Sequence, residues 1–150
     1  MKAIHERGFT LIELVVVITI LGILAAFAVP RFIALDTQAR VATVNGLAGS
    51  VKSAASLARG LAMATNTAAN GTVTMEGQAI TLANYYPDGT TIASAVNSSN
   101  GATGDWTFTA AAGANPATWQ LNKASGTCQV QYTPAAANGV PAVAVSTGGC

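Results

Sequence analysis

Hydrophobic side chains run almost without a break from Leu14 to Val29, 16 residues in which Thr19 is the one polar side chain. The run continues past Pro30 and Arg31 into Phe32, Ile33 and Leu35. Taken as a helix, Phe9–Val29 spans about 31 Å at 1.5 Å per residue, close to the roughly 30 Å hydrocarbon thickness of a bilayer. Beyond Pro30 the pattern becomes amphipathic. Val44, Leu47, Ala48, Val51, Ala54, Ala55, Ala58, Leu61 and Ala62 recur at i, i+3, i+4 spacing, with Asn45, Lys52, Ser53, Ser56 and Arg59 on other faces. This predicts a core-facing stripe, and its alanines suit close packing. Asn70-Gly71 reads as the turn that closes the helix.

After that turn the period falls to two. Trp106, Phe108 and Ala110 share one face, as do Trp119 with Leu121, and Cys128 with Val130 and Tyr132. Thr72–Met75, Ile80–Leu82 and Val140–Val145 are weaker strand candidates, and Pro141 assigns the last to an edge. Ala93–Asp105, rich in small polar residues, reads as a mobile surface loop. Trp106 and Trp119 fit core packing better than ligand platforms. The pattern predicts an α+β fold: a long N-terminal helix, half membrane-spanning and half amphipathic, packed on a small antiparallel β-sheet. The divisions follow as a leader over 1–8, an apolar helix over 9–35, its amphipathic half over 36–69, and a β-sheet region over 70–150.

Composition narrows the function. The 150 residues leave room for about one domain, and only 9% are charged. From Phe9 onward five basic side chains meet five acidic ones, so no basic stripe exists for nucleic-acid binding by a single subunit. His5 is the one histidine, which leaves no Ser/His/Asp or Cys/His arrangement, and the acids lack a calcium-loop spacing. No phosphate-cradling motif is present. The expectation is no enzyme, no cofactor and no metal. Cys128 and Cys150 are the only two cysteines. Behind a membrane-targeting segment they read as an extracytoplasmic disulfide closing a C-terminal loop, the alternative being two thiols in a reducing compartment.

The N-terminus does not read as an ordinary secretory signal. The apolar run exceeds the usual 7–15 residues, and Ala25-Ala26-Phe27-Ala28 is an imperfect cleavage site. Lys2 and Arg7 place the leader on the cytoplasmic side and the remainder outside. Within the apolar stretch one carboxylate stands out, Glu13. An ionisable group in lipid costs roughly 2.5–3.5 kcal/mol on insertion scales, so it marks a function by default. Thr10-Leu11-Ile12-Glu13 is also a capping-box pattern, which needs no partner chain.

Gly8-Phe9-Thr10-Leu11-Ile12-Glu13 followed by the apolar run resembles the class III signal of type IV pilins and of the related pseudopilins of type II secretion. The resemblance is dense over residues 8–32 and looser beyond. It implies that a prepilin peptidase in the membrane cuts after Gly8 and that the new N-terminus, Phe9, is methylated. It implies assembly by identical subunits into a helical filament, in which Glu13 of one chain neutralises the Phe9 ammonium of its neighbour, so that a single chain cannot satisfy its own carboxylate. It also implies that the helix between Gly22 and Pro30 kinks or loses helicity in the filament. Within that family, Pro30-Arg31-Phe32 and the Cys128-x-x-x-Tyr132 strand are most similar to the mannose-sensitive haemagglutinin type, and the Cys128–Cys150 bridge matches the bounded C-terminal loop usual in pilins.

The function expected from the resemblance is a structural subunit of a type IV pilus. The precursor is held in the bacterial inner membrane as a single span and passed to the pilus assembly machinery. The filament then serves outside the cell in adhesion or motility. A type II secretion pseudopilin is the alternative. The resemblance implies that the disulfide favours the pilin, since major pseudopilins generally use calcium in the corresponding region. A membrane-anchored binding domain that never assembles is a further alternative, and it leaves Glu13 without a role.

Overall fold

A computed structural model describes residues 8–96, 98, 104–113 and 115–150. Its chain falls into two compact units, Met1–Thr37 and Gln38–Cys150. One helix, α1 (Leu11–Ala64), runs from the first into the second.

In the first unit α1 is helical throughout and Pro30 lies inside it. In the second unit the amphipathic stripe does what its spacing predicts. Val44, Ala48, Val51, Ala54, Ala55, Ala58 and Ala62 are buried, Leu47 and Leu61 are half-buried, and Asn45, Lys52, Ser53 and Ser56 face solvent. The helix ends at Ala64, short of Asn70-Gly71. The reason is a C-cap: Asn66 takes a left-handed φ of 52°, its N–H donates to the Met63 carbonyl, and the Thr67 N–H reaches back to Ala62 at 2.8 Å. Asparagine does here what glycine does at many helix ends.

Two antiparallel sheets follow, where the sequence pattern suggests one. The first has the order β1 (Thr72–Met75), β2 (Gln78–Ala83), β3 (Tyr86–Pro87). Both of its connections are two-residue turns. Met75 pairs with Gln78 across Glu76-Gly77, and Ala83 pairs with Tyr86 across Asn84-Tyr85. All four turn residues have positive φ, between 49° and 80°, the signature of a type I′ hairpin whose twist matches the strands. Tyr85 at 72° is the costly one, because a bulky side chain resists that region.

The stretch Ile92–Val96, expected within or beside a mobile loop, is a short helix, α2, with Ile92 and Ala93 buried. Asp88 caps it. One carboxylate oxygen accepts the Thr91 N–H at 2.8 Å and the Thr90 N–H at 3.0 Å, and both threonine hydroxyls add bonds. Partial burial pulls the Asp88 carboxyl upward, but the bonds from Thr91 and Thr90 outweigh it and hold it below its ordinary value. The remainder of the expected loop, at 97 and 99–103, lies outside the described residues.

The second sheet runs β4 (Trp106–Thr109), β5 (Ala117–Leu121), β6 (Gln129–Thr133), β7 (Ala142–Ser146), antiparallel throughout. The strand after Pro141 is an edge strand, where its missing N–H costs no ladder bond. Alternation along β5 and β6 sends Ala117, Trp119, Leu121, Val130 and Tyr132 inward. Trp106 and Trp119 are both core residues, the latter fully buried with its ring 4.7 Å from that of Phe108, its cross-strand partner, and tilted 45° to it.

The buried residues form two clusters along α1. Val44, Ala48, Val51 and Ala55 meet the four-stranded sheet, with Tyr86, Ile92 and Ala135. Ala58 and Ala62 meet Val73, Met75, Ile80 and Leu82 of the three-stranded sheet. Cys128 and Cys150 form a disulfide with 4.9 Å between Cα atoms, and Cys128 is fully buried. The loop it closes is tight, since Gly149 lies so near the 126–127 backbone that a Cβ there would sit 2.2 Å from the Thr127 nitrogen. Among the described residues no charged side chain is buried, and every buried side-chain nitrogen or oxygen has a hydrogen-bond partner.

Candidate functional site

The first unit presents what a folded protein normally hides. Phe9 is 83% exposed, Leu11 80% and Phe27 75%, and the other large apolar side chains from Ile12 to Leu35 are exposed as well. An 18-residue stretch of α1 has a mean hydropathy of 2.8 with none of it buried. A core helix of a soluble domain satisfies its apolar stripe within the fold, and this segment satisfies none. A bilayer or other copies of the same surface would cover it.

Gly8 and Phe9 lie just before the helix, exposed and outside regular structure. Glu13 falls in the first turn of α1. Phe9, Ile12, Glu13, Val16 and Val17 line one shallow depression, the i, i+3, i+4, i+7, i+8 face of a helix. The carboxylate therefore opens onto an apolar face next to Phe9.

Glu13 is not left without hydrogen bonds in its own chain. The Thr10 N–H donates to its Oε2 at 2.9 Å and the Thr10 hydroxyl at 2.7 Å, while the Glu13 N–H reaches the Thr10 hydroxyl oxygen at 3.4 Å. This is a complete capping box. It corrects the expectation that a single chain leaves the carboxylate unsatisfied: helix-capping donors are supplied from one turn away. What the box does not supply is a cation, because Thr10 contributes a hydroxyl and an amide, and Arg31 is the next charged residue along the chain. The box fixes the side chain without neutralising it.

The other sequence-predicted positions are separate from this face. Gly22 lies within α1 with open space where a Cβ would stand, so no close approach within the chain requires glycine there. Pro30 removes one N–H from the ladder of a helix that continues on both sides. The disulfide belongs to the second unit. There the phenol of Tyr132, which sequence reading places in a strand and nothing more, donates to the Pro87 carbonyl at 2.7 Å. Burial, with the nearby Asp88 carboxylate and Tyr86, raises that phenol well above its ordinary value.

Comparison with known proteins converges on the same segment. Residues 4–29 match the family described as the prokaryotic N-terminal methylation motif. The type IV narrow pilus major component PilA5 of Thermus thermophilus is 54% identical over 54 residues, 36% of this chain and 47% of the relative. The type II secretion system core protein G of Pseudomonas aeruginosa is 48% identical over 46 residues, 31% of this chain and 32% of its own. The fimbrial protein EcpC of Eikenella corrodens is 40% identical over 76 residues, 49% of this chain and 50% of its own. The chain thus spans half or less of the length of these curated relatives. No solved structure matches it significantly. The α+β fold, the exposed apolar helix and the disulfide agree with the pilin resemblance of the sequence. Over its N-terminal third the chain is similar to type IV pilins and to a type II secretion core protein, and it carries the prokaryotic N-terminal methylation motif.

Proposed function

We propose that this chain is the structural subunit of a type IV pilus, anchored first in a membrane and then polymerised through the same apolar helix. The observation that carries the proposal is Glu13, the one charged residue between Phe9 and Val29, a stretch whose large apolar side chains stay exposed. Hydrolysis of the Gly8–Phe9 peptide bond by a prepilin peptidase adds water across it, releasing a leader that ends in the Gly8 carboxylate and freeing the Phe9 amine. Methylation of that amine keeps its positive charge. Glu13 of one subunit then meets the Phe9 ammonium of the next inside a dry bundle, where an unpaired charge costs several kcal/mol. Removing either partner strands the other.

The same resemblance supports single-span insertion of the precursor in a bacterial inner membrane, with Lys2 and Arg7 on the cytoplasmic side, and hand-over to pilus assembly machinery. The finished filament is extracellular and acts in adhesion or motility. In it, the stretch from Gly22 to Pro30 gives up helical hydrogen bonds. A filament reconstruction with unbroken helix there would dismiss that part.

The test is filament formation. Wild-type cells should yield sheared filaments by electron microscopy, with a subunit whose mass begins at methylated Phe9. Glu13→Ala should abolish them while the membrane-bound precursor persists. Filaments at wild-type abundance from Glu13→Ala, or a subunit beginning after Ala28, would sink the reading, the second outcome favouring a cleaved secretory signal. The match to a type II secretion core protein supports a second reading as pseudopilin, with the same helix and the same pairing. Surface filaments that persist in cells without a type II secretion apparatus decide for the pilin.

A further inference from the structure

In the second unit a groove of about 460 Å³ opens between the last turns of α1, the β2–β3 turn and residues 137–140. Arg59, Met63, Tyr85, Tyr86, Asn138 and Val140 contribute to its lining. Three features of it bear on what it could hold.

Arg59 is half-buried, its guanidinium carbon 5.0 Å from the centre of the Tyr86 ring, and Nη1 donates to the Tyr86 hydroxyl. Arginine has five N–H donors, and no carboxylate among the described residues pairs with this one. A partly desolvated cation without an anion is an incomplete arrangement, which a carboxylate completes by a forked pair of hydrogen bonds. Tyr85 holds φ at 72° in a two-residue turn where glycine or asparagine sits at little cost. Tyr85 is 40% exposed with its side chain on the groove. Finally, Met63 and Val140 are 56% and 72% exposed at the same place, next to Asn138, whose own φ is 59°.

Arg59 is the one charged residue lining the groove among the described residues. That argues against nucleic acid, which calls for several cations. The remaining lining offers phenol and amide groups for hydroxyls, and aromatic and aliphatic surface for C–H faces. The matching chemistry is one anion on a ring rich in hydroxyls. We propose that this groove binds a carboxylate-bearing sugar of the uronic-acid type, with Arg59 on the carboxylate and Tyr85 stacked against the ring. This site stands apart from the assembly segment, so the filament reading and this one succeed or fail separately.

The full-length chain in detergent micelles, titrated calorimetrically with a glucuronic-acid disaccharide, tests it. Binding is expected, and it should fall about tenfold or more when the carboxyls of the sugar are reduced to alcohols. Arg59→Gln should weaken it by a similar factor. Tyr85→Gly relieves the backbone, so it should melt at the same or a higher temperature while losing affinity several-fold. No binding at millimolar sugar, equal binding of the acid and its reduced form, or equal binding of a short polyglutamate peptide overturns the proposal. So does undiminished affinity in Tyr85→Gly, a readout that holds even if Arg59→Gln does not fold.

Discussion

The Tyr132 hydroxyl on β6 donates to the carbonyl of Pro87 on β3 at 2.7 Å, so a buried hydrogen bond ties the four-stranded sheet to the three-stranded one. The two residues lie far apart in sequence, and both are fully buried. Tyr132→Phe preserves the ring and deletes the donor, leaving a buried carbonyl one partner short. A loss of about 1–2 kcal/mol is expected in denaturant unfolding of the detergent-solubilised chain. A variant as stable as wild type would show that the sheets are joined by packing alone.

Asp88 gives the second unit a dependence on acid. Its folded carboxyl is held below the unfolded value by Thr91 and Thr90 against the upward pull of burial. The unfolded chain therefore binds the proton more readily, and stability falls as pH falls. The contribution is complete above about pH 4, the ordinary range of a free aspartate, and disappears as pH drops through the lower folded pKa. Thermal melts from neutral pH down to about pH 2 check it, because Asp88→Asn should flatten the slope in that window while its amide oxygen keeps the cap. The group is partly open to solvent, so the slope is modest.

The C-terminal loop tolerates no side chain at Gly149. A Cβ there would meet the Gly126 carbonyl carbon at 2.3 Å and the Thr127 nitrogen at 2.2 Å, which are backbone atoms that cannot rotate away. Gly149→Ala should cost about 1–3 kcal/mol and slow closure of the neighbouring disulfide, measured as thiol accessibility during refolding. Replacing both cysteines with alanine removes a cross-link spanning 22 residues and should cost about 3 kcal/mol. If Gly149→Ala closes the bridge at the wild-type rate, the close approach is not what sets the geometry.

Legibility in the sequence followed the length of the repeating signal. The α1 stripe from Val44 to Ala62 repeats over five turns of helix, and each buried position matched its spacing. The alternation in β5 and β6 was equally plain. The end of α1 was misplaced because its cap is Asn66 between two threonines, whereas the more familiar Asn-Gly pair comes later and belongs to the approach to β1. The two hairpin turns escaped notice because Glu76 and Tyr85 are poor turn residues, so the strained positions carried no sequence mark. β3 has two residues and α2 has five, too short for any period to register. Glu13 was visible as a charge in an apolar run. The groove was not, since Arg59, Tyr85 and Val140 meet only once the sheets have packed on the helix.

The two clusters along α1 also differ in the distance along the chain that they must close. Ala58 and Ala62 find Val73, Met75, Ile80 and Leu82 within one hairpin of the helix end, whereas Val44 and Val51 wait for strands that begin at Trp106 and finish at Ser146. Contacts of short separation form fastest, and synthesis delivers the N-terminal elements first. The hairpin cluster is therefore complete while half of the α1 stripe still lacks its cover. For that interval the uncovered valines, together with the apolar segment before them, make this an aggregation-prone nascent chain, until the four-stranded sheet closes over the stripe.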